Sequence, residues 1–406
     1  MAGLKRDLTL LACAALIFVT ISRCQKTSFG LPDTGSLQYA DPACRIELSG
    51  SEMLLAESLR SGKLTVQLDE CLSAAARAIA AKIAHEQKDL SSDEIRKILL
   101  SYGIADSQMG LRTYVAPWAK TIAKSVSKDL TAELVHEDYT HFGVGTFRKI
   151  YPPRVYAAFV ITKKMVFLDP FPKKVPKPID LTLSGRIEQN YKNAQLLFSN
   201  PEGATTTTDV ITDSSNEFAI WLPFDAKKPG TYVVEIEVAG ARGPEVGALF
   251  TVDYLTSGYH PNAEIEAKSS GTLQDSIEKS RSLLLAWINE ERKKRGLHLL
   301  AEDAQLTALA QSRAERMLAE GRPRHIDAKG LDAADEAESM GIKFAWLGEN
   351  LAFNSDLFEA HKNLMETPSH RENILNPMCT RIGLGIAIRE KKESRLYVVT
   401  EIFVAD

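Results

Sequence analysis

Little in this 406-residue sequence is extreme, and what is scarce already narrows the field. Five cysteines are too few for a fold held together mainly by disulfides. Prolines number only 17, and with 44% apolar and 25% charged residues the chain has the material for packed cores, which excludes wholesale disorder. Charge of one sign is missing too. The 49 Lys and Arg against 53 Asp and Glu leave a formal charge of −4, so there is no global electrostatic case for binding nucleic acid. Beyond the N-terminus no stretch reaches the roughly 18 consecutive apolar residues of a spanning helix. The length exceeds one ordinary domain and predicts two or three.

The N-terminus reads as an address. Lys5 and Arg6 precede an apolar run over 8–21, which fits a signal h-region and is too short to span a bilayer. Residues 1–23 are therefore expected to be a signal peptide and the protein to be exported. Ser22-Arg23-Cys24 follows, and Cys24 stands where a bacterial lipoprotein carries its acylated cysteine, although Arg23 departs from the usual small residue. Two outcomes stay open: a lipid anchor at Cys24, or cleavage nearby and release. In an oxidising compartment Cys44 and Cys71 are the expected disulfide, with Cys379 left over; the plainer alternative is that all are reduced, buried thiols.

Two stretches read as linkers. Residues 169–178 hold four prolines in ten, and 256–272 are rich in Ser, Gly, Ala and Glu without apolar period. Between them, short strand-like runs at 179–187, 194–198, 218–222, 231–238 and 248–254 alternate with turn signals such as Lys228-Pro229-Gly230. They predict a small β-sandwich over 179–255 whose Pro229-to-Ile236 stretch resembles a late strand of bacterial immunoglobulin-like domains. The last segment, 275–406, opens with a helix through Leu284, Leu285, Trp287 and Ile288 that Gly296 stops. A second helix starts near Asp303, and a period-two strand through Ile382, Leu384, Ile386 and Ile388 pairs with 396–404.

Three places in this segment hold polar groups that a bare scaffold does not require: His325, Gly348-Glu349-Asn350, and Thr367-Pro368-Ser369-His370-Arg371-Glu372-Asn373. Two imidazoles and a carboxylate can bind a divalent metal such as zinc, or share protons, if the fold brings them together. On the alternative reading Thr367 caps a helix with Pro368 at its first position, and His370 and Glu372 only decorate its first turn.

Taken in order, Leu285-to-Arg292, the helix from Asp303, His325, Gly348-Glu349-Asn350, Thr367-to-Leu375, Gly383-Leu384-Gly385 and Thr400-Glu401-Ile402-Phe403 resemble the bacterial SCP-like branch of the CAP superfamily (cysteine-rich secretory proteins, antigen 5 and pathogenesis-related proteins). The resemblance covers about a third of the chain. It implies an α-β-α sandwich with a central cleft, in which His325, Glu349 and His370 match the family's cleft residues and Asn350 and Glu401 stand nearby. The sequence departs from the bacterial pattern at Leu364, Thr367, Ser369 and Glu401, and Val398 and Val399 leave no histidine before Thr400, so the full eukaryotic His/Glu set is not implied.

Residues 30–168 predict an α+β domain that echoes this order: Leu72-to-Ala76 parallels Leu306-to-Ala310, Gly110-Leu111-Arg112 parallels Gly348-Glu349-Asn350, Gly143-Val144-Gly145 parallels Gly383-Leu384-Gly385, and Phe159-to-Thr162 parallels Tyr397-to-Thr400. The expectation is a degenerate CAP-like copy without the cleft chemistry, set against chance similarity. His136 and His141 lie five apart, where a helical metal motif needs four, and read as a polar loop before a strand. The functional expectation is an exported cell-envelope binding protein, periplasmic or secreted, engaging an extracellular lipid or protein ligand, with a metal-assisted peptide or cell-wall hydrolase as the rival.

Overall fold

The computed structural model describes residues 38–41, 44, 46–60, 66–136, 138–256, 273–391 and 394–406; residues 1–23, Cys24 and nearly all of 256–272 lie outside them. Among the described residues no helix is long and apolar enough to cross a membrane. The chain divides into two compact units, Met1–Lys173 and Lys174–Asp406.

The first unit runs β1 (Gln38–Tyr39), α1 (Gly50–Arg60), β2 (Gln67–Leu68), α2 (Glu70–Glu86), α3 (Ser92–Ser101), β3 (Met109–Ala116), α4 (Ala119–His136), β4 (His141–Lys149), β5 (Arg154–Thr162), β6 (Val166–Leu168) and β7 (Phe171–Pro172). Its sheet has the order β2-β4-β5-β3, with β2 parallel to β4 and the other neighbours antiparallel. Residues 155–162 of β5 are all buried because helices cover both faces of the sheet. On one side Ile79, Ile83, Leu99, Leu111 and Val160 form a core, and on the other Leu55, Leu59, Val126, Phe142 and Phe159. Local chemistry fixes the helix starts. Asp69 accepts from the Leu72 amide, and Ser91 and Glu94 close a reciprocal capping box. Cys44 and Cys71 are joined by a disulfide. His136 ends α4 and His141 opens β4, so the expected loop between them shrinks to a few residues.

The second unit begins with a β-domain: β8 (Lys174–Val175), β9 (Leu181–Ile187), β10 (Lys192–Ser199), β11 (Thr205–Asp209), β12 (Glu217–Leu222), β13 (Gly230–Gly240) and β14 (Gly243–Tyr254). One sheet has the order β11-β10-β13-β14-β8, and β12 pairs antiparallel with β9 elsewhere. Phe198, Phe224, Tyr232 and Tyr254 cluster with ring centroids about 5 Å apart. Strand β11 escapes sequence patterning because it is four threonines and an aspartate with no apolar alternation. The expected 169–178 linker is not structureless either: Phe171–Pro172 pairs with β1, and Lys174–Val175 pairs with β14.

There follow α5 (Leu273–Lys294), β15 (Ala301–Glu302), α6 (Ala304–Glu320), α7 (Ala333–Ser339), β16 (Trp346–Asn354), α8 (Leu357–Glu366), α9 (Pro368–Leu375), β17 (Arg381–Lys391) and β18 (Ser394–Ala405). The sheet order β15-β17-β18-β16 repeats that of β2-β4-β5-β3, strand sense included. The repetition extends to close contacts. A Cβ on Gly143 or Gly145 would lie 2.1 Å or 1.9 Å from the α2 backbone, and one on Gly383 or Gly385 would lie 2.2 Å or 2.1 Å from that of α6. Glycine is needed at all four because helix and strand approach backbone to backbone. The register also corrects the parallel drawn above for β5. Val160 lies opposite Gly143 and Ile402 opposite Gly383, so Phe159 holds the ladder position of Glu401 rather than of Tyr397.

Candidate functional site

The site is built on α6. Leu306, Leu309, Ala310, Ala314 and Met317 face the sheet, and on the same face stands Arg313, only 2% exposed. Its guanidinium makes four hydrogen bonds. Nε donates to Glu349 Oε1 at 2.5 Å, Nη2 to Glu349 Oε2 at 3.1 Å and to the His325 carbonyl at 2.7 Å, and Nη1 to Glu336. Arg316 pairs with the same Glu336 at 2.6 and 2.7 Å. The His325 Nδ1 meets Glu349 Oε2 at 2.8 Å, so both oxygens of this strand-borne carboxylate are engaged.

His325 is also held through its backbone. Its amide and that of Ile326 both donate to the Arg242 carbonyl at 3.0 Å, in the turn between β13 and β14. Gly243 next to it has φ +97°, and a Cβ there would come within 2.9 Å of His325 Cβ. Both the angle and the approach require glycine.

Below this layer lies a second polar group. The buried Asn350 donates from Nδ2 to the His370 carbonyl at 2.9 Å and to Glu401 Oε2 at 3.0 Å, while its Oδ1 accepts from Asn373 at 2.8 Å. Glu401 is fully buried, its Oε1 has no partner among the described residues, and burial pushes its carboxyl up to about 7. It does not face solvent. His370 Nδ1 is sealed from solvent without a partner, and burial, helped by nearby His325, lowers this imidazole to about 3. The ring is thus a neutral nitrogen donor at physiological pH.

The third wall comes from the β-domain. Along β13, Tyr232, Val234, Ile236 and Val238 point into the core, which puts Glu235 and Glu237 on the outward face. Glu235 is nonetheless 0% exposed. Its carboxylate accepts from the Ser369 hydroxyl at 2.6 Å and the Ser369 amide at 3.1 Å, at the start of α9, and burial raises it to about 7. Arg371 donates to the Ser199 hydroxyl at 2.8 Å. Burial raises Glu237 while the neighbouring His325 lowers it, the first effect being larger. Thr367, expected as a side-chain cap, instead donates its hydroxyl back to the Asn363 carbonyl at 2.8 Å and makes no cap hydrogen bond.

The structure therefore brings His325 and Glu349 into contact, sets His370 near His325, and ties Asn350 to Glu401 and to the His370 backbone. Among the described residues no group of three or more His, Cys, Asp or Glu side chains is arranged to hold a metal ion. Two imidazole nitrogens remain as donors, the second nitrogen of His325 and the ring of His370. Sequence reasoning missed Arg313, Glu336, Glu235 and Glu237. Only a basic residue in phase with the apolar stripe of α6 signals the first, and two glutamates on one face of a strand signal the last pair. Burial pushes the Cys379 thiol up to about 11, so it is inert as a nucleophile.

One family model falls on the same segment. Residues 285–403 match the family described as CAP, the cysteine-rich secretory protein family. The uncharacterized protein YkwD of Bacillus subtilis is 28% identical over 134 residues, 33% of this chain and 52% of that protein, so the chain spans about half the length of this curated relative. Among solved structures, an outer surface protein of Borrelia burgdorferi is similar at 22% identity over 32% of this chain and 95% of its own, with a TM-score of 0.29. An extracellular protein containing a SCP domain from Bacillus anthracis is similar at 16% identity over 55% and 81%, again with a TM-score of 0.29.

Proposed function

We propose, from the wiring of the segment that matches the CAP family, that the protein is an exported binding protein of the cell envelope rather than a hydrolase. The observation that carries this reading is the engagement of Glu349. Arg313 holds both of its oxygens and His325 one, so three of its roughly four acceptor positions are taken and its charge is neutralised by a guanidinium, which makes it a poor base for water. Export is supported by the basic and apolar N-terminus and by the Cys44–Cys71 disulfide, a bond of oxidising compartments. Anchoring through Cys24 belongs to the same reading, as does an immunoglobulin-like β-domain.

The cleft's donor set fits a divalent metal in one respect. Glu349 fixes the His325 tautomer through Nδ1 and frees the other nitrogen, the outer-shell pairing that orients ligating histidines, and the sealed His370 nitrogen lacks a partner. His325 and His370 would hold the ion, which would supply a positive anchor for an anionic ligand group. The first unit we read as a CAP-like copy stripped of this site, a reading supported by the identical strand order and the matched glycines.

Zinc titration of the full chain by calorimetry tests the proposal. One binding event is expected, weakened at least about tenfold in His325→Ala and in His370→Ala; unchanged affinity in both variants overturns the metal reading. Incubation with peptides and peptidoglycan fragments is expected to yield no product. Turnover abolished by Glu349→Gln would establish the hydrolase instead.

A further inference from the structure

The first unit carries a feature that its packing does not require. Strand β3 ends at Ala116, opposite Val155, and β4 and β5 meet at the Lys149–Arg154 pair, so Trp118 and the 150–153 turn lie at the same end of the sheet. There Ile150 is 87% exposed, Tyr151 88% and Trp118 61%, with Pro117, Pro152 and Pro153 exposed among them. Single exposed apolar side chains are ordinary, but three large ones gathered at one tip call for a contact.

The fold does not demand them. In the second unit, which has the same strand order, β17 and β18 meet at the Lys391–Ser394 pair, with Lys392 and Glu393 between them in the sequence, and the residues after β16 are Ser355 and Asp356. Both are polar.

Charge identifies the occupant. From residue 139 to 168 the chain has no Asp or Glu, nor has it any from 117 to 128, although the whole protein carries a formal −4. Lys120, Lys124, Arg148 and Arg154 are exposed, Lys149 half-exposed, and among the described residues none of the five has an ion-pair partner. Lys120 and Lys124 are one helical turn apart and share a face of α4. Aromatic side chains with a polar edge, ringed by unpaired cations, are the chemistry of a membrane–water interface bearing negative headgroups.

We propose that this end of the first unit's sheet docks on the surface of a bilayer containing anionic lipid, with Trp118, Ile150 and Tyr151 entering the interfacial layer and the surrounding cations meeting the headgroups. The contact is separate from the cleft of the second unit and from any anchor at Cys24.

Flotation of the full chain with vesicles of phosphatidylcholine alone, or with about 30% phosphatidylglycerol, tests it at low and high salt. The wild type is expected to favour the anionic vesicles about tenfold or more and to lose that preference as salt rises. The combined Trp118→Ser, Ile150→Ser, Tyr151→Ser variant is expected to bind about tenfold less. Combined Lys120→Glu, Lys149→Glu, Arg154→Glu is expected to bind roughly a hundredfold less, at about fivefold per cation removed. Any contribution of the 8–21 apolar run is common to all three proteins, and because every substituted side chain is at the surface, melting temperatures should agree. The proposal falls if both variants float like the wild type, or if the wild type treats neutral and anionic vesicles alike. It falls equally if the apolar variant keeps its vesicle binding and loses self-association instead, which would make the tip a contact between copies.

Discussion

Three matching positions, one on a helix and two on strands, are filled in opposite ways in the two units. In the first, Ile79 of α2 packs with Leu111 of β3, and Phe159 lies in the middle of β5, all in apolar cores. In the second, the equivalent places hold Arg313, Glu349 and Glu401, whose side chains are buried as well. The first arrangement is the cheaper way to fill such a sheet, because an ion pair moved out of water loses solvation that its partners only partly restore. On the reading proposed above, the charged set is kept for the ligand site, and the difference places that site in the second unit.

Substitutions sharpen the contrast. The largest effect is expected from Arg313→Ala, which strands Glu349 and Glu336 without their buried partner and should destabilise the second unit by about 4 kcal/mol, read as an earlier denaturant transition. Ile79→Ala removes only packing and should cost the first unit about 3 kcal/mol. Gly145→Ala and Gly385→Ala test whether the two helix–strand contacts are one device. Each pushes a methyl group into helix backbone, and equal losses of about 3 kcal/mol are expected in the respective units; a large loss in one and none in the other would break the parallel.

Glu401 supplies the pH dependence. Its folded-state value, raised to about 7 from 4.5, means that the folded form holds its proton more tightly than the unfolded form. Its stability contribution is therefore fully present below pH 4.5 and is lost as pH rises through 7. Glu401→Gln should remove up to about 3 kcal/mol of the second unit's stability loss between pH 5 and pH 8, while the first unit, with Phe159 there, shows no matching change. The smallest effect is Ser369→Ala, which takes one hydrogen bond from the buried Glu235 carboxylate and should cost about 1 kcal/mol.

Much of this was legible in the sequence, for reasons that lie in particular residues. Asp303 announces a helix because its side chain caps it, and Gly383 and Gly385 announce a strand beneath a helix because nothing larger fits. The contact of His325 with Glu349 was suggested by resemblance alone, since 24 residues of separation specify no distance. The rest was hidden because its cause is tertiary. Glu235 reads as a solvent-facing residue of an alternating strand, and only Ser369, 134 positions away, buries it. Arg313 stands in phase with the apolar stripe of α6, but nothing local says that Glu349 and Glu336 surround it.

The central claim is that the second unit keeps buried charge in order to orient His325 toward a ligand. It is tested most directly by giving that unit the first unit's solution, Arg313→Ile with Glu349→Leu, and measuring zinc affinity and denaturant stability on the same full-length protein. The account predicts a folded protein at least as stable as the wild type whose zinc affinity falls about tenfold or more. Zinc affinity unchanged by the exchange, or a second unit that no longer folds, would contradict it.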